Sequence, residues 1–293
     1  MSSLILHAGP LTARYAAGSL RGISLDGREV IRHVLVALRD HNWKTIPRRL
    51  TRETVTKLDD RFRIELTAEH VSGEVDFVWE GLIEGHADGR IVWSMSGEAR
   101  QPFRRNRIGF CVLHPIALCA GIPCLVEHPD GSKEHLRFPY RIAPHQPFVN
   151  MRAMSYEVRP GMMAELRFTG DVFETEDHRN WTDYSFKTYS TALHLPRPVT
   201  VAPGERIEQT VELALRETAP SVLFDRVNRI AAPDLETRRL DVRFGASADQ
   251  FSPGGPVEVA FFTDDPAQDL PPLVPQLNQL NILRYLILSL IHI

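Results

Sequence analysis

The sequence predicts an all-β fold: a large antiparallel β-sandwich, followed by the start of a truncated β/α barrel. Three observations carry this. Residues 10 to about 216 read as one run after another of alternating apolar and polar residues. Turn dipeptides fall between the runs, and no helical periodicity of useful length interrupts them.

The alternation is plainest in Arg61-Phe-Arg-Ile-Glu-Leu-Thr-Ala68, Val75-Asp-Phe-Val-Trp-Glu-Gly-Leu-Ile83 and Arg90-Ile-Val-Trp-Ser-Met-Ser-Gly97, and it returns in Arg206-Ile-Glu-Gln-Thr-Val-Glu-Leu-Ala-Leu215. A period of two sends one set of side chains into a core and the other toward water or a ligand. Asp26-Gly27, Asp88-Gly89, Asp130-Gly131 and Pro203-Gly204 supply the turns. Many half-apolar strands bury their inner sides most simply as two stacked sheets, which assigns residues 1–218 to one sandwich. Beyond about residue 220 the texture changes. Ser221-Val-Leu-Phe-Asp-Arg-Val-Asn-Arg-Ile230 suits a short helix or linker, Asp241-Val-Arg-Phe-Gly-Ala246 a strand, and the stretch from Leu270 to Leu280 a helix opened by Pro271 and Pro272. Residues 219–281 therefore read as a linker and the incomplete beginning of a barrel. Residues 282–293, ending in Leu288-Ser-Leu-Ile-His-Ile293, read as a non-native tail, and their apolar run is shorter than the ~20 residues a bilayer requires.

Composition narrows the function. In 293 residues, 34 Lys and Arg stand against 37 Asp and Glu, a formal charge of -3, so the basic excess of a general nucleic-acid binder is missing. The start, Met1-Ser-Ser-Leu-Ile-Leu-His-Ala-Gly-Pro10, lacks the basic and apolar regions of a secretory signal. Cys111, Cys119 and Cys124 sit in apolar surroundings at spacings that fit neither a zinc site nor a disulfide framework, so buried thiols in a cytoplasmic protein are expected. No membrane partner is implied, and no pattern points to an oligomeric state.

The segment richest in chemistry runs from Gly170 to Tyr189. Between Glu174 and Asp183 it offers four carboxylates with His178, Arg179 and Asn180 around Trp181. Unpaired burial of so many charges is too costly for a core, so a polar loop feeding a strand is expected. Asp183, Ser185 and Lys187 then share one face, with Tyr184 and Phe186 on the other. Carboxylates and amides for hydroxyls, with an aromatic plane for C–H groups, are what a sugar site requires. A solvated charged loop is the plain structural alternative. A second stretch, Phe103 to Pro115, carries Asn106 and Arg107 and ends in His114. The planar fork of Arg107 suits a carboxylate or a developing oxyanion, although an arginine run is as consistent with ordinary surface. In a third stretch prolines bracket His145-Gln146 and fix the backbone there. No G-x-S-x-G elbow, zinc spacing or phosphate loop occurs, so no metal or cofactor is implied and a hydrolase here has to work by activated water.

Arg39-Asp-His-Asn-Trp-Lys-Thr-Ile-Pro47, Arg105-Asn-Arg-Ile-Gly-Phe-Cys-Val-Leu-His-Pro115 and Glu174-Thr-Glu-Asp-His-Arg-Asn-Trp-Thr-Asp-Tyr-Ser-Phe-Lys-Thr-Tyr189, together with Pro144-His-Gln-Pro-Phe148, resemble the amino-terminal domain of the D-apionate lactonase family of apiose breakdown. The similarity runs from about residue 9 to 245 with its order kept. Two positions depart from the pattern: His178 stands where the family has Gln, which argues against an indispensable base there, and Tyr184 replaces a small residue. The resemblance implies hydrolysis of a sugar lactone to its aldonate, with a barrel and a small carboxy-terminal β domain following the sandwich. By residue type, Asp177 or Glu176 is the expected base, Arg107 and Lys187 steady the oxyanion, and His145 or His114 donates the proton. Asn180, Arg179 and Trp181 hold hydroxyls, and Asn106, His114, Glu174 and Asp183 join them in binding substrate. Two other readings stay open. One is a non-catalytic carbohydrate-binding or interaction sandwich, since barrel enzymes keep their chemistry on the barrel. The other is a glycoside hydrolase drawing its carboxylate pair from Glu174, Glu176 and Asp177.

Overall fold

A computed structural model describes residues 3–181 and 183–218. The barrel beginning and tail expected for residues 219–293 lie outside them. Two nine-stranded sheets, antiparallel in every pairing, make up the described part. Sheet one runs β1 (Leu4–Ala8), β2 (Leu11–Ala16), β3 (Ser19–Leu25), β4 (Arg28–Asp40), β9 (Phe103–Pro115), β16 (Ser185–Tyr189), β15 (Phe173–Asp177) and β12 (Phe148–Met151), with β17 (Val199–Val201) also on β9. Sheet two runs β11 (Lys133–Arg137), β10 (Pro123–Glu127), β13 (Ala153–Arg159), β14 (Met162–Thr169), β18 (Arg206–Glu217), β8 (Ile91–Ala99), β7 (Val75–Gly85), β6 (Phe62–Ser72) and β5 (Arg48–Lys57). The expected sandwich is the fold.

Period-two burial explains the architecture. Sheet one turns Leu20, Val34, Ile108, Phe110 and Val112 inward, sheet two turns Ile64, Phe77, Trp93, Leu166 and Val211 inward, and all belong to one core. The predicted turns close hairpins. At β3–β4 the register Leu25↔Arg28 leaves Asp26 and Gly27 at the tip, both with positive φ (51° and 78°), as a two-residue turn of the strands' own twist requires. All three cysteines are buried and unpaired.

One buried polar link ties the sheets together. Gln209 of β18 accepts the Phe110 N–H of β9 at 2.9 Å and donates to the Ile108 carbonyl at 3.3 Å. Gly109 makes room for it, because a Cβ there would lie 2.1 Å from the Gln209 amide oxygen. This link holds β9 next to the residues described below.

The acidic segment differs from expectation. Phe173–Asp177 is a strand, not a loop, and His178–Trp181 is a single 3-10 turn. Glu174 and Asp177 are both buried, which the charge count alone argues against. Glu174 is balanced by Arg107, far away in sequence, and Asp177 by Arg179 only two residues on, and a paired charge can be buried where a lone one cannot.

Candidate active site

Cross-strand register fixes which side chains share a face. Glu174 lies opposite Tyr189 and Glu176 opposite Lys187; on the next strand Tyr189 meets Cys111 and Lys187 meets Leu113. These residues point away from the core, while Thr175, Asp177, Phe186, Thr188 and His114 point into it. Arg107 and Arg39, directly opposite each other on β9 and β4, extend the outward face. Like charges placed opposite one another repel, so this pair needs a reason to be there.

Arg107 is the centre. Its side chain is only 12% exposed, yet it makes no hydrogen bond among the described residues. Its terminal nitrogens stop 3.9 Å from Glu174 Oε1 and 3.9 Å from Glu176 Oε2, and its Nε is buried without a partner. The guanidinium carbon lies 3.5 Å from the centre of the Tyr189 ring and 5.2 Å from that of Trp43. Glu174 is fully engaged beneath it, its Oε1 accepting the Tyr189 hydroxyl at 2.7 Å and the Leu193 N–H at 2.8 Å. Burial, together with that bond to Glu174, pushes the Tyr189 hydroxyl far above its ordinary pKa although Arg107 opposes the shift, so Tyr189 stays protonated.

Glu176 is the accessible carboxylate. Partial burial alone would raise its pKa, but the His178 imidazole and the charges of Arg107 and Lys187 outweigh burial and bring it below the ordinary value. Trp181 donates its indole N–H to Glu176 Oε1 at 3.1 Å, and His178 bridges Glu176 and Asp183 at 3.6 Å to each. Lys187, the cross-strand neighbour of Glu176, forms neither hydrogen bond nor ion pair among the described residues; its Nζ is 5.7 Å from the Tyr189 ring.

Other expected residues are elsewhere. Asp177, with a side chain 0% exposed, is held at 2.9 and 2.7 Å by Arg179 and at 2.9 Å by the Ala143 N–H. Arg179 also donates to the carbonyls of Pro139, Tyr140 and Arg141, so the two residues clamp the segment before β12 rather than facing a ligand. His114 is core, bonded to Tyr156 at 3.0 Å and Thr188 at 2.8 Å, and burial lowers its pKa to about 3. Neither Asp177 as base nor His114 as proton donor can reach a substrate on this face. Asn106 is buried and donates to the His41 carbonyl at 3.1 Å. His145 is exposed between β11 and β12 with no hydrogen bond or ion pair among the described residues, and Asn180 and Asp183 are exposed beside Trp181. On β16 the outward residues are Ser185, Lys187 and Tyr189; Asp183 and Tyr184 precede the strand.

Three contributors were not singled out from the sequence: Tyr189, Arg39 and Trp43. Trp43 tips the turn after β4 with a positive φ of 65°, rare for a bulky residue and a strain of about 1–3 kcal/mol. Asp40 holds the turn by accepting the N–H groups of Asn42 and Lys44 at 2.9 and 2.8 Å, and Arg39 donates to the Trp43 carbonyl at 3.1 Å. A groove of about 800 Å³ lies on the outer face of sheet two, lined by Arg52, Thr54, Arg63, Glu65, Ser94 and Thr210 among others. Its charges satisfy one another, as in Arg63–Glu65 at 2.8 Å and Ser96–Glu208 at 2.9 Å, so size alone does not make it the site. The Ser–His contact between Ser19 and His33 (3.0 Å) is buried at both ends.

These features define a two-sheet β-sandwich with a cation-rich polar site on the open side of one sheet. The family model for the D-apionate lactonase N-terminal domain matches residues 1–218, and the chain belongs to that family. A D-apionate lactonase of Brucella anthropi is 36% identical over 224 residues, covering 76% of this chain and 37% of that protein. The chain thus spans well under half the length of that relative. Among solved structures it is similar to a Synechocystis protein (TM-score 0.48, 9% identity, 74% of this chain and 96% of that one) and to galactose 1-epimerase of Lactobacillus acidophilus (TM-score 0.41, 10% identity, 71% and 92%).

Proposed function

We propose that the Arg107–Glu176 face opens a sugar lactone of the D-apionolactone type to its aldonate, as part of apiose breakdown in the cytoplasm and with a barrel domain following the sandwich. The observation that carries the reading is the guanidinium of Arg107, nearly buried and without a hydrogen bond, flanked by Lys187 and Arg39. Buried donors are almost always satisfied, and a planar fork of N–H groups matches a carbonyl oxygen turning into an oxyanion, and afterwards a carboxylate.

The chemistry follows from these groups. Glu176, ionised at neutral pH, takes a proton from water as the water oxygen bonds to the lactone carbonyl carbon. Negative charge gathers on the carbonyl oxygen beside Arg107 and Lys187. Collapse re-forms the C=O bond and breaks the ring C–O bond, and Glu176 returns its proton to the departing alkoxide. One water is consumed and a hydroxy acid leaves as its anion. Trp181, bonded to Glu176, takes the C–H face of the ring, and Asp183, paired with His178, takes hydroxyls.

Hydrolysis of aldonolactones by the 293-residue chain, followed by proton release, tests this. Glu176→Gln and Arg107→Ala should each lower turnover by roughly 10²–10³-fold, and unchanged turnover in both removes the proposal. Because the chain spans 37% of its relative, a second reading is a carbohydrate-binding sandwich whose catalytic groups lie on other domains. Aldonate binding that depends on Arg107, without any turnover by the chain, would decide for it.

A further inference from the structure

We infer that Trp43 is a positioning residue: with Tyr189 it holds the Arg107 guanidinium by its π-faces, so that the N–H groups stay unspent and available to an anionic ligand. This rests on the reading of Arg107 as the ligand-binding cation.

A flexible arginine is usually fixed through its N–H groups by carboxylates or carbonyls, as Arg179 is by Asp177 and three backbone oxygens. An arginine fixed in that way has nothing left to offer a substrate. Arg107 is fixed differently, by Tyr189 at 3.5 Å and Trp43 at 5.2 Å, both within the range at which a cation is attracted to a ring face. The carboxylates stay at 3.9 Å, near enough to balance the charge and too far to take a hydrogen bond. Tyr189 is in turn immobilised by its own bond to Glu174.

Among the described residues, the Trp43 ring faces two cations, Arg107 and Arg197. It is 41% exposed and outside the core, in a left-handed conformation that a tryptophan adopts only when its surroundings impose it. Those surroundings are built for it: the Asp40 cap on the turn, the Arg39 bond to its carbonyl, and Arg197 with its guanidinium carbon 5.9 Å from the indole centre. Backbone strain retained at an exposed aromatic, one contact away from a cation without hydrogen bonds, marks a position kept for what the side chain does to that cation.

Trp43→Leu and Trp43→Phe separate the π-face from mere bulk. The probe is D-erythronate, a four-carbon aldonate, titrated calorimetrically into the whole 293-residue chain. Leucine should weaken binding about tenfold while phenylalanine stays within about threefold of the parent. In Arg107→Ala, millimolar guanidinium ion should restore part of the binding, and that rescue should vanish once Trp43→Leu is added. Equal affinities for the leucine and phenylalanine variants, with binding still lost in Arg107→Ala, overturn the role of Trp43 and leave the site intact. Undiminished binding in Arg107→Ala overturns the reading of the site itself, and this inference with it.

Discussion

The outer faces of the two sheets make opposite use of charge. On sheet two, β5 to β8 and β18 line a concavity, but its arginines are exposed and matched to its glutamates, Arg63 with Glu65 and Arg52 with Glu80. On sheet one the concentration is smaller: Arg107 is nearly buried, and neither it nor Lys187 has a hydrogen bond among the described residues, while Arg39 has one to the Trp43 carbonyl. Water screens and solvates the first set, so it needs nothing further. Arg107 has given up most of its water without receiving a hydrogen-bond acceptor in exchange, its carboxylates stopping at 3.9 Å. A binding face is marked by donors the fold has left unsatisfied, and concavity is the weaker guide.

The largest effects accordingly belong to sheet one. Asp177 and Glu176 are chain neighbours of identical chemistry on opposite faces, which makes them the sharpest pair to compare. Glu176→Gln is expected to cut lactone hydrolysis by roughly 10²–10³-fold with little change in melting temperature. Asp177→Asn is expected to do the reverse, costing about 3 kcal/mol of stability because it breaks a buried pair with Arg179, while the folded fraction keeps most of its turnover. Thermal melts run beside steady-state rates check both, and loss of rate without loss of stability in Asp177→Asn would exchange the two roles.

The link between the sheets comes next. Gly109→Ala puts a methyl group against the Gln209 amide and against Ser190 Oγ, 2.4 Å away, so about 1–3 kcal/mol of destabilisation is expected from overpacking. Restoring space with Gln209→Ala in the same chain should recover only part of it, since the Phe110 N–H then loses its acceptor. Urea unfolding of the two single variants and the double variant measures this.

A slower loss appears with acid. His114 is lowered from 6.5 to about 3 and His33 to about 4, both chiefly by burial. Between those values and 6.5 the unfolded chain binds more protons than the folded one, so stability falls as pH drops. The melting temperature should therefore be flat above pH 6.5, sink progressively toward pH 4, and sink less in His114→Gln. Glu176 follows carboxylate logic, with its contribution present above the ordinary glutamate pKa and lost only as pH falls below it. Turnover of the folded protein should accordingly begin to fall at a lower pH than the melting temperature does.

Much of this was legible in the sequence, within limits set by distance along the chain. Alternation and turn dipeptides are local signals, so the sandwich could be read directly. The acidic segment could be recognised as unusual, but not as a strand, because Arg107, Tyr189 and the Leu193 N–H that neutralise Glu174 come from β9, β16 and the chain beyond it. Asp177 and Glu176 stayed interchangeable for a subtler reason. Parity counted from Phe173, a core residue, sends Asp177 inward, but counting from Thr182 onward never crosses the 3-10 turn that separates the strands. Trp43 entered only as part of the Arg39–Pro47 segment that carries the resemblance, since nothing in its neighbours reveals that Arg107 will lie beside it.

The smallest expected effect bears hardest on the comparison. Arg63→Ala with Glu65→Ala removes the pair these residues make in the sheet-two groove, together with Arg63's contact to Glu84. Both residues are exposed, and an ion pair in water contributes little because each partner is solvated when alone. Neither the melting temperature nor aldonolactone hydrolysis should change measurably. A fall in substrate affinity in this double variant, with Arg107 untouched, would mean that the groove binds ligand although its charges are already paired. Unsatisfied donors would then no longer distinguish a working face from a solvated one, and the assignment of the site to sheet one would lose its physical basis.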